Sequence, residues 1–148
     1  MSVPSLDIAD AVVTVLNAAD LSLDFTAERK YTPKFDLHSS AAVQVAVVPK
    51  SDARNMQTRG VDGATIQIDI GVMKKLQNAI ADEATECDAL LELCEEIKPL
   101  VNRERLSGVE DSVCIGIQQE PIYSVEEVDE KRTFLTVLTA TFKTTVAP

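Results

Sequence analysis

The sequence predicts an α+β fold in which a mostly antiparallel β-sheet carries two α-helices on one face. Two segments, residues 5–19 and 82–98, repeat apolar residues at helical spacing, and five others have strand-like patterns. The elements follow one another in the order α-β-β-β-α-β-β. A chain of 148 residues is the size of one domain, so we predict a single domain over residues 1–148.

Each predicted helix has one continuous apolar stripe. Ser5, after Pro4, is the expected N-cap of the first helix. Pro99 is expected to end or kink the second helix, because it clashes with the carbonyl four residues earlier. The stripes consist of Ile8, Val12, Val15, Leu16 and Ala19 in the first helix and of Cys87, Leu90, Cys94, Ile97 and Val101 in the second.

The predicted strands differ in how clearly they alternate. Residues 64–73 alternate most regularly, and Pro49 is expected to stop the strand before them. The last strand has an apolar even-numbered face, predicted to pack under a helix, and an odd-numbered face rich in threonine. The five strands cover residues 24–36, 41–48, 64–73, 109–118 and 132–146, and the core face of the last contains Phe134, Leu138, Ala140 and Phe142.

The segment PKSDARNMQTRGVDG, residues 49–63, separates the second and third strands without a periodic pattern. Such a length is unusual for a hairpin connection, and long loops are often functional or disordered. Two interpretations remain open. The segment is either a mobile hairpin tip or a docking loop that carries Lys50, Arg54 and Arg59.

The net charge of −10 is concentrated in one part of the chain. Residues 82–130 contain 15 acidic residues against three basic ones, whereas residues 1–81 contain 9 acidic and 8 basic residues. With no Trp and only 4% aromatic residues, nucleic acid is disfavoured as a bound ligand. The acidic groups indicate a solvated face, or else a surface that repels DNA or attracts a basic partner.

No pattern for a catalytic, cofactor or metal site is found in the sequence. His38 is the only histidine and precedes Ser39 and Ser40 in an expected turn, which disfavours a catalytic triad. Cys87 and Cys94 are too far apart for a typical zinc pair, so with Cys114 we expect thiols rather than ligands. An odd number of cysteines fits a reducing compartment, the N-terminus has no secretory pattern, and no apolar run is long enough to span a membrane.

Six segments in order carry a resemblance to a known family. They are LDIADAVVTVLNAA, YTPKFDL, VQVAVVP, IQIDIGVMKKL, CDALLELCEEI and RTFLTVLTATFKTTV, which together extend over nearly all of residues 5–146. In this order they resemble the tail terminator, or tail completion, proteins of long-tailed bacteriophages. Neck and head–tail connector proteins are similar in size and fold, and they remain an alternative.

The resemblance implies a structural protein of the virion and not an enzyme. Such proteins form a ring, commonly a hexamer, that is assembled in the host cytoplasm, caps the tail tube and joins it to the head connector. DNA passes through the ring without specific binding, and no cofactor or membrane is involved. The rival classes are an acidic DNA-mimic inhibitor, which should be acidic over most of its surface, and a small enzyme.

Three surfaces are the candidates for this role. The loop at residues 49–63 is expected to dock to the tail tube or the neck. The odd-numbered face of the last strand is the candidate subunit interface, through Leu135, Val137, Thr139 and Thr141. The candidate acidic channel surface consists of Glu83, Glu86, Glu126, Glu127, Asp129 and Glu130.

Overall fold

Within the part of the chain that the structure describes, seven elements of regular structure follow one another in the predicted order, and the α+β class is confirmed. The computed structural model describes residues 3–31, 43–76, 83–102, 106, 108–109, 111–120, 122–124 and 133–146. The elements are α1 (Pro4–Ala18), β1 (Phe25–Arg29), β2 (Val43–Thr58), β3 (Val61–Lys75), α2 (Glu83–Asn102), β4 (Val113–Gln119) and β5 (Thr133–Val146).

The five strands form one sheet in the order β1-β2-β3-β5-β4. β1 pairs with β2 in parallel, and all the other pairs are antiparallel. β3 is the central strand, since it pairs with β2 and β5 along almost its whole length. In this register Ile70 lies between Val47 and Leu138, which places apolar residues of three strands side by side on one face.

The core lies between that face of the sheet and both helices. The alternation predicted in the third and last strands is confirmed, because the even-numbered residues of β3 and β5 from Ala64 to Val72 and from Phe134 to Phe142 are buried. Each large apolar side chain of this set contributes roughly 1.5–3 kcal/mol on burial. The helices add Ile8, Val12, Leu16, Leu90, Leu93, Cys94, Ile97 and Val101 to the same cluster.

Both predicted helix boundaries need correction. α1 has Val3 as its N-cap and Pro4 in its first turn, so Ser5 lies inside the helix and does not cap it. α2 continues through Pro99 to Asn102. Val101 is fully buried beyond the proline, and this apolar contact offsets the hydrogen bond that Pro99 cannot donate.

The strands also differ from prediction around residues 49–63. These residues are not an aperiodic loop, because β2 and β3 pair from the core out to Thr58 and Val61. Pro49 does not end β2; the register shifts between Pro49 and Ser51, which is where a bulge admits a proline. β1 ends earlier than predicted, at Arg29, and residues 32–36 lie outside the described part of the chain.

α1 holds the short edge strand β1 in place. The amide of Asn17 donates to the carbonyl of Ala27 at 3.0 Å, and its oxygen accepts from the Ala27 N–H at 2.7 Å. Asn17 therefore satisfies two backbone groups at the free edge of the sheet. Arg29 adds an ion pair with Asp10, at 3.1 Å between Nε and Oδ1.

Candidate functional site

The distal parts of β2 and β3 form an exposed arm, defined here as residues 50–62. Every residue from Lys50 to Val61 is exposed. β1 pairs with β2 only as far as Val47, so beyond that point no described strand covers the outer edge of β2. On the other side β5 pairs with β3 out to Asp62, which supports the arm as part of the sheet.

The three basic residues predicted to dock all lie on β2 or its turn, but they are not one cluster. Lys50 and Arg59 are nine positions apart, which is roughly 30 Å in an extended strand. Lys50 at the base lies 4.0 Å from Asp69, and Arg54 makes two hydrogen bonds to Asp52. Arg59, at the tip, makes no ion pair with any described carboxylate.

Met56 gives the arm an apolar feature that the sequence prediction did not use. Its side chain is 81% exposed, the largest exposure among the large apolar residues described. It lies near the turn that contains Arg59 and Gly60. The tip of the arm therefore presents the apolar side chain of Met56 beside the basic side chain of Arg59, which forms no ion pair with a described carboxylate.

The candidate interface residues lie together on the sheet face opposite the helices, here called the outer face. Leu135, Val137, Thr139 and Thr141 are each half-buried. Their partners across β3 are Met73, Gly71, Asp69 and Gln67. Ala46 and Met73, at 0% and 4% exposure, are buried here but do not belong to the main core cluster.

The outer face is chemically divided along its length. At one end Leu135 and Val137, each half-buried, lie beside Met73, which is 4% exposed, on the face opposite the described helices. Further along, the Thr139 hydroxyl donates to Oδ1 of Asp69 at 2.7 Å. The Thr139 hydroxyl therefore has its hydrogen-bond acceptor within the chain.

The predicted acidic surface is wrong at Glu86. Glu86 is 8% exposed and its Oε1 lies 3.6 Å from Nζ of Lys74 on β3, so it cannot belong to a channel surface. Glu83 is half-buried. The acids that α2 does expose are Asp88, Glu92 and Glu95. Glu126, Glu127, Asp129 and Glu130 lie outside the described residues.

An open cleft of about 950 Å³ lies between α2 and the segment that follows β4. Leu91 and Ile122 provide its apolar surface, and Ile122 is 57% exposed. Around them stand Asp88, Glu92, Glu95, Glu96, Lys98, Gln119 and Ser22. Sequence reasoning missed this cleft because Ile122 lies in a connection with no periodicity and far from α2 in the chain.

Two of the cleft carboxylates have no partner in the described structure. Glu96 accepts from the backbone N–H of Ser22 at 3.2 Å, and Glu95 pairs with Lys98. Asp88 and Glu92 make no ion pair or hydrogen bond with a described residue. The cleft can therefore accept a cation beside an apolar side chain.

The described residues contain no group of three or more His, Cys, Asp and Glu side chains able to hold a metal. All three cysteines are described and are free thiols. Cys94 lies in the core, and this burial raises the pKa of its thiol to about 11, so it is a poor nucleophile at neutral pH. His38 lies outside the described residues. No described helix has both the length and the apolar character to cross a membrane.

A comparison of the sequence with protein-family models finds no match, and a comparison with curated proteins finds none. The functional interpretation therefore depends on the surfaces described above and on the order of segments along the chain.

Proposed function

We propose that this chain is a structural virion protein that assembles with copies of itself into a ring. In the proposed role the ring, with six subunits as its expected number, caps the tail tube of a long-tailed bacteriophage. It joins the tube to the head connector, and DNA passes through the central channel. The same geometry would serve a neighbouring neck protein, which is the nearest alternative.

The observation that carries the proposal is the pair of half-buried apolar side chains, Leu135 and Val137, on the outer face. Leu135, Val137 and Met73 are drawn together by strand register on the side away from both helices. Apolar groups collected on one sheet face gain free energy when a second protein surface covers them. A neighbouring subunit is the proposed cover.

The distribution of surfaces supports a ring in preference to a symmetric pair. A ring contact is heterologous, so each subunit must offer two different complementary patches. This subunit has two half-buried apolar side chains on one sheet face, an exposed arm at one end and an acidic cleft beside α2. The arm is the element proposed to make contact outside its own subunit.

Passage of DNA through the ring requires a wall that does not bind phosphate. The excess of acid in residues 82–130 suits such a wall, because negative groups repel the DNA backbone. With Glu86 removed from the set, the proposed channel surface consists of Glu83 with Glu126, Glu127, Asp129 and Glu130. An acidic DNA mimic is less well supported, because residues 1–81 are nearly balanced in charge.

The mass of the protein in solution tests the proposal. Light scattering over a concentration series, combined with negative-stain imaging, should show a closed ring with a central hole. A wild-type chain that remains a monomer up to about millimolar concentration would overturn the ring function. A monomer that displaces DNA from a DNA-binding enzyme would instead support the inhibitor class.

A further inference from the structure

We propose that the tip of the arm from one subunit inserts into the acidic cleft beside α2 of the next subunit. This inference rests on the proposed ring function and identifies one of its contacts. The occupant is a second copy of this chain, and the two surfaces that meet are different. Repeated around an axis, such a head-to-tail contact closes into a ring.

Charge is the first reason for matching the two surfaces. Arg59 at the tip makes no ion pair with a described carboxylate, and Asp88 and Glu92 in the cleft make none with a described cation. A guanidinium can bridge two carboxylates one helical turn apart, since residues four positions apart on a helix are neighbours. Insertion of the tip would therefore bring Arg59 together with Asp88 and Glu92. None of these three forms an ion pair with a described residue of its own subunit.

Apolar contact is the second reason. Met56 is 81% exposed at the tip, and Ile122 is 57% exposed in the cleft. Leu91 lies beside Ile122 as part of the same lining. Methionine fits irregular apolar surfaces well because its side chain is unbranched and flexible. Insertion would remove all three side chains from water together.

Distance shows that one subunit cannot make this contact with itself. Gln119 in the cleft pairs with Leu138 of β5, whereas Asp62 at the tip pairs with Val146. The two ends are eight residues apart along β5, which is roughly 27 Å. Because β2 is paired with β3 out to Thr58 and β3 is paired with β5 out to Asp62, the arm is not free to fold back on its own cleft.

Charge reversal at either surface tests the contact. Arg59→Glu and Glu92→Lys each put like charges together and should weaken association at least tenfold in sedimentation velocity. Asp111→Lys is the matched control, because Asp111 is exposed and does not line the cleft. It should assemble like the wild type. All three substitutions are at exposed positions and should leave the thermal unfolding midpoint nearly unchanged.

Mixing the two damaged variants gives the decisive result. In a 1:1 mixture the tip reversed by Arg59→Glu meets the cleft reversed by Glu92→Lys, and the unaltered tip of the second variant meets the unaltered cleft of the first. Association should return to near the wild-type level, which would show that both chains are folded and that the contact joins different subunits. If the wild type forms a ring and neither Arg59→Glu nor Glu92→Lys weakens it, this contact is ruled out while the proposed ring function is retained. If such rings also fail to join tails when Arg59 is reversed, the arm docks to the tail or neck instead.

Discussion

Lys74 on β3 and Glu86 on α2 form an ion pair, with 3.6 Å between Nζ and Oε1, at the margin of the core. Glu86 is 8% exposed, and the Lys74 side chain is 19% exposed. The pair joins the first turn of α2 to the end of the central strand. Each charge is tolerated at this depth because the other lies beside it.

Glu86→Ala should lower the free energy of unfolding by about 1–3 kcal/mol, because it leaves Lys74 partly buried without its carboxylate. Urea denaturation at neutral pH measures the change. The double variant Lys74→Met with Glu86→Leu should recover most of the loss, since no uncompensated charge remains. Equal destabilisation by the single and double variants would show that packing, and not the charge, is responsible.

Val137→Lys tests the outer face. The substitution places a cation in the apolar group with Leu135 and Met73, and it should raise the dissociation constant of the ring at least tenfold. Light scattering over a dilution series measures the constant. A ring of undiminished stability would rule out this face as the subunit contact.

Thr26→Lys is the control for the outer face. Thr26 is exposed on β1 and pairs with Gln44, so it lies on the same face of the sheet but at its edge. The same charge there should leave assembly unchanged. If both lysine substitutions weakened the ring equally, the effect would come from charge in general and not from Val137.

Ionisation of the Cys94 thiol should lower the free energy of unfolding in alkaline solution. Burial raises its pKa from 9.0 to about 11, so the unfolded chain loses this proton at a lower pH than the folded chain does. The stabilising contribution is therefore complete below pH 9 and is lost as the pH rises toward 11. Over that interval the wild type should lose about 2–3 kcal/mol more than Cys94→Ala. Parallel denaturation curves for the two proteins at every pH would contradict this assignment.

Asn17→Ala removes both hydrogen bonds to Ala27. The backbone N–H and carbonyl of Ala27 then lack these partners. We expect a loss of about 1–2 kcal/mol and faster hydrogen exchange at the Ala27 amide. Thr14→Ala, at an exposed position of the same helix, should change stability by less than about 0.5 kcal/mol. Unchanged exchange at Ala27 in the Asn17 variant would show that β1 does not depend on this contact.

Periodicity predicted the fold where one face of an element is buried. The alternation from Ile66 to Val72 and the stripe from Leu90 to Val101 both identified core residues correctly. Residues 49–63 could not be recognised as strands in this way. Both faces of the arm are exposed, so its sequence need not alternate between apolar and polar residues. Pro49 strengthened the wrong interpretation, since a proline interrupts most strands except at an edge or a bulge.

The candidate surfaces are harder to derive from the sequence than the fold is. Glu86 was grouped with the exposed acids by composition, although it lies four positions before Leu90 and thus on the buried stripe of α2. That spacing was a usable signal. The cleft gave no such signal, because it depends on the tertiary placement of Ile122 against a helix that ends well before it in the chain.

The open outer edge of β2 has a consequence for the chain in solution. From Val48 to Thr58 the side of β2 away from β3 faces no described strand, and an edge of this length is a template for indiscriminate pairing with other chains. Pro49 removes one donor, and Lys50, Asp52 and Arg54 place alternating charges along the same stretch. These residues act as gatekeepers against amyloid-like stacking, and they let the chain keep a long exposed strand edge without indiscriminate pairing.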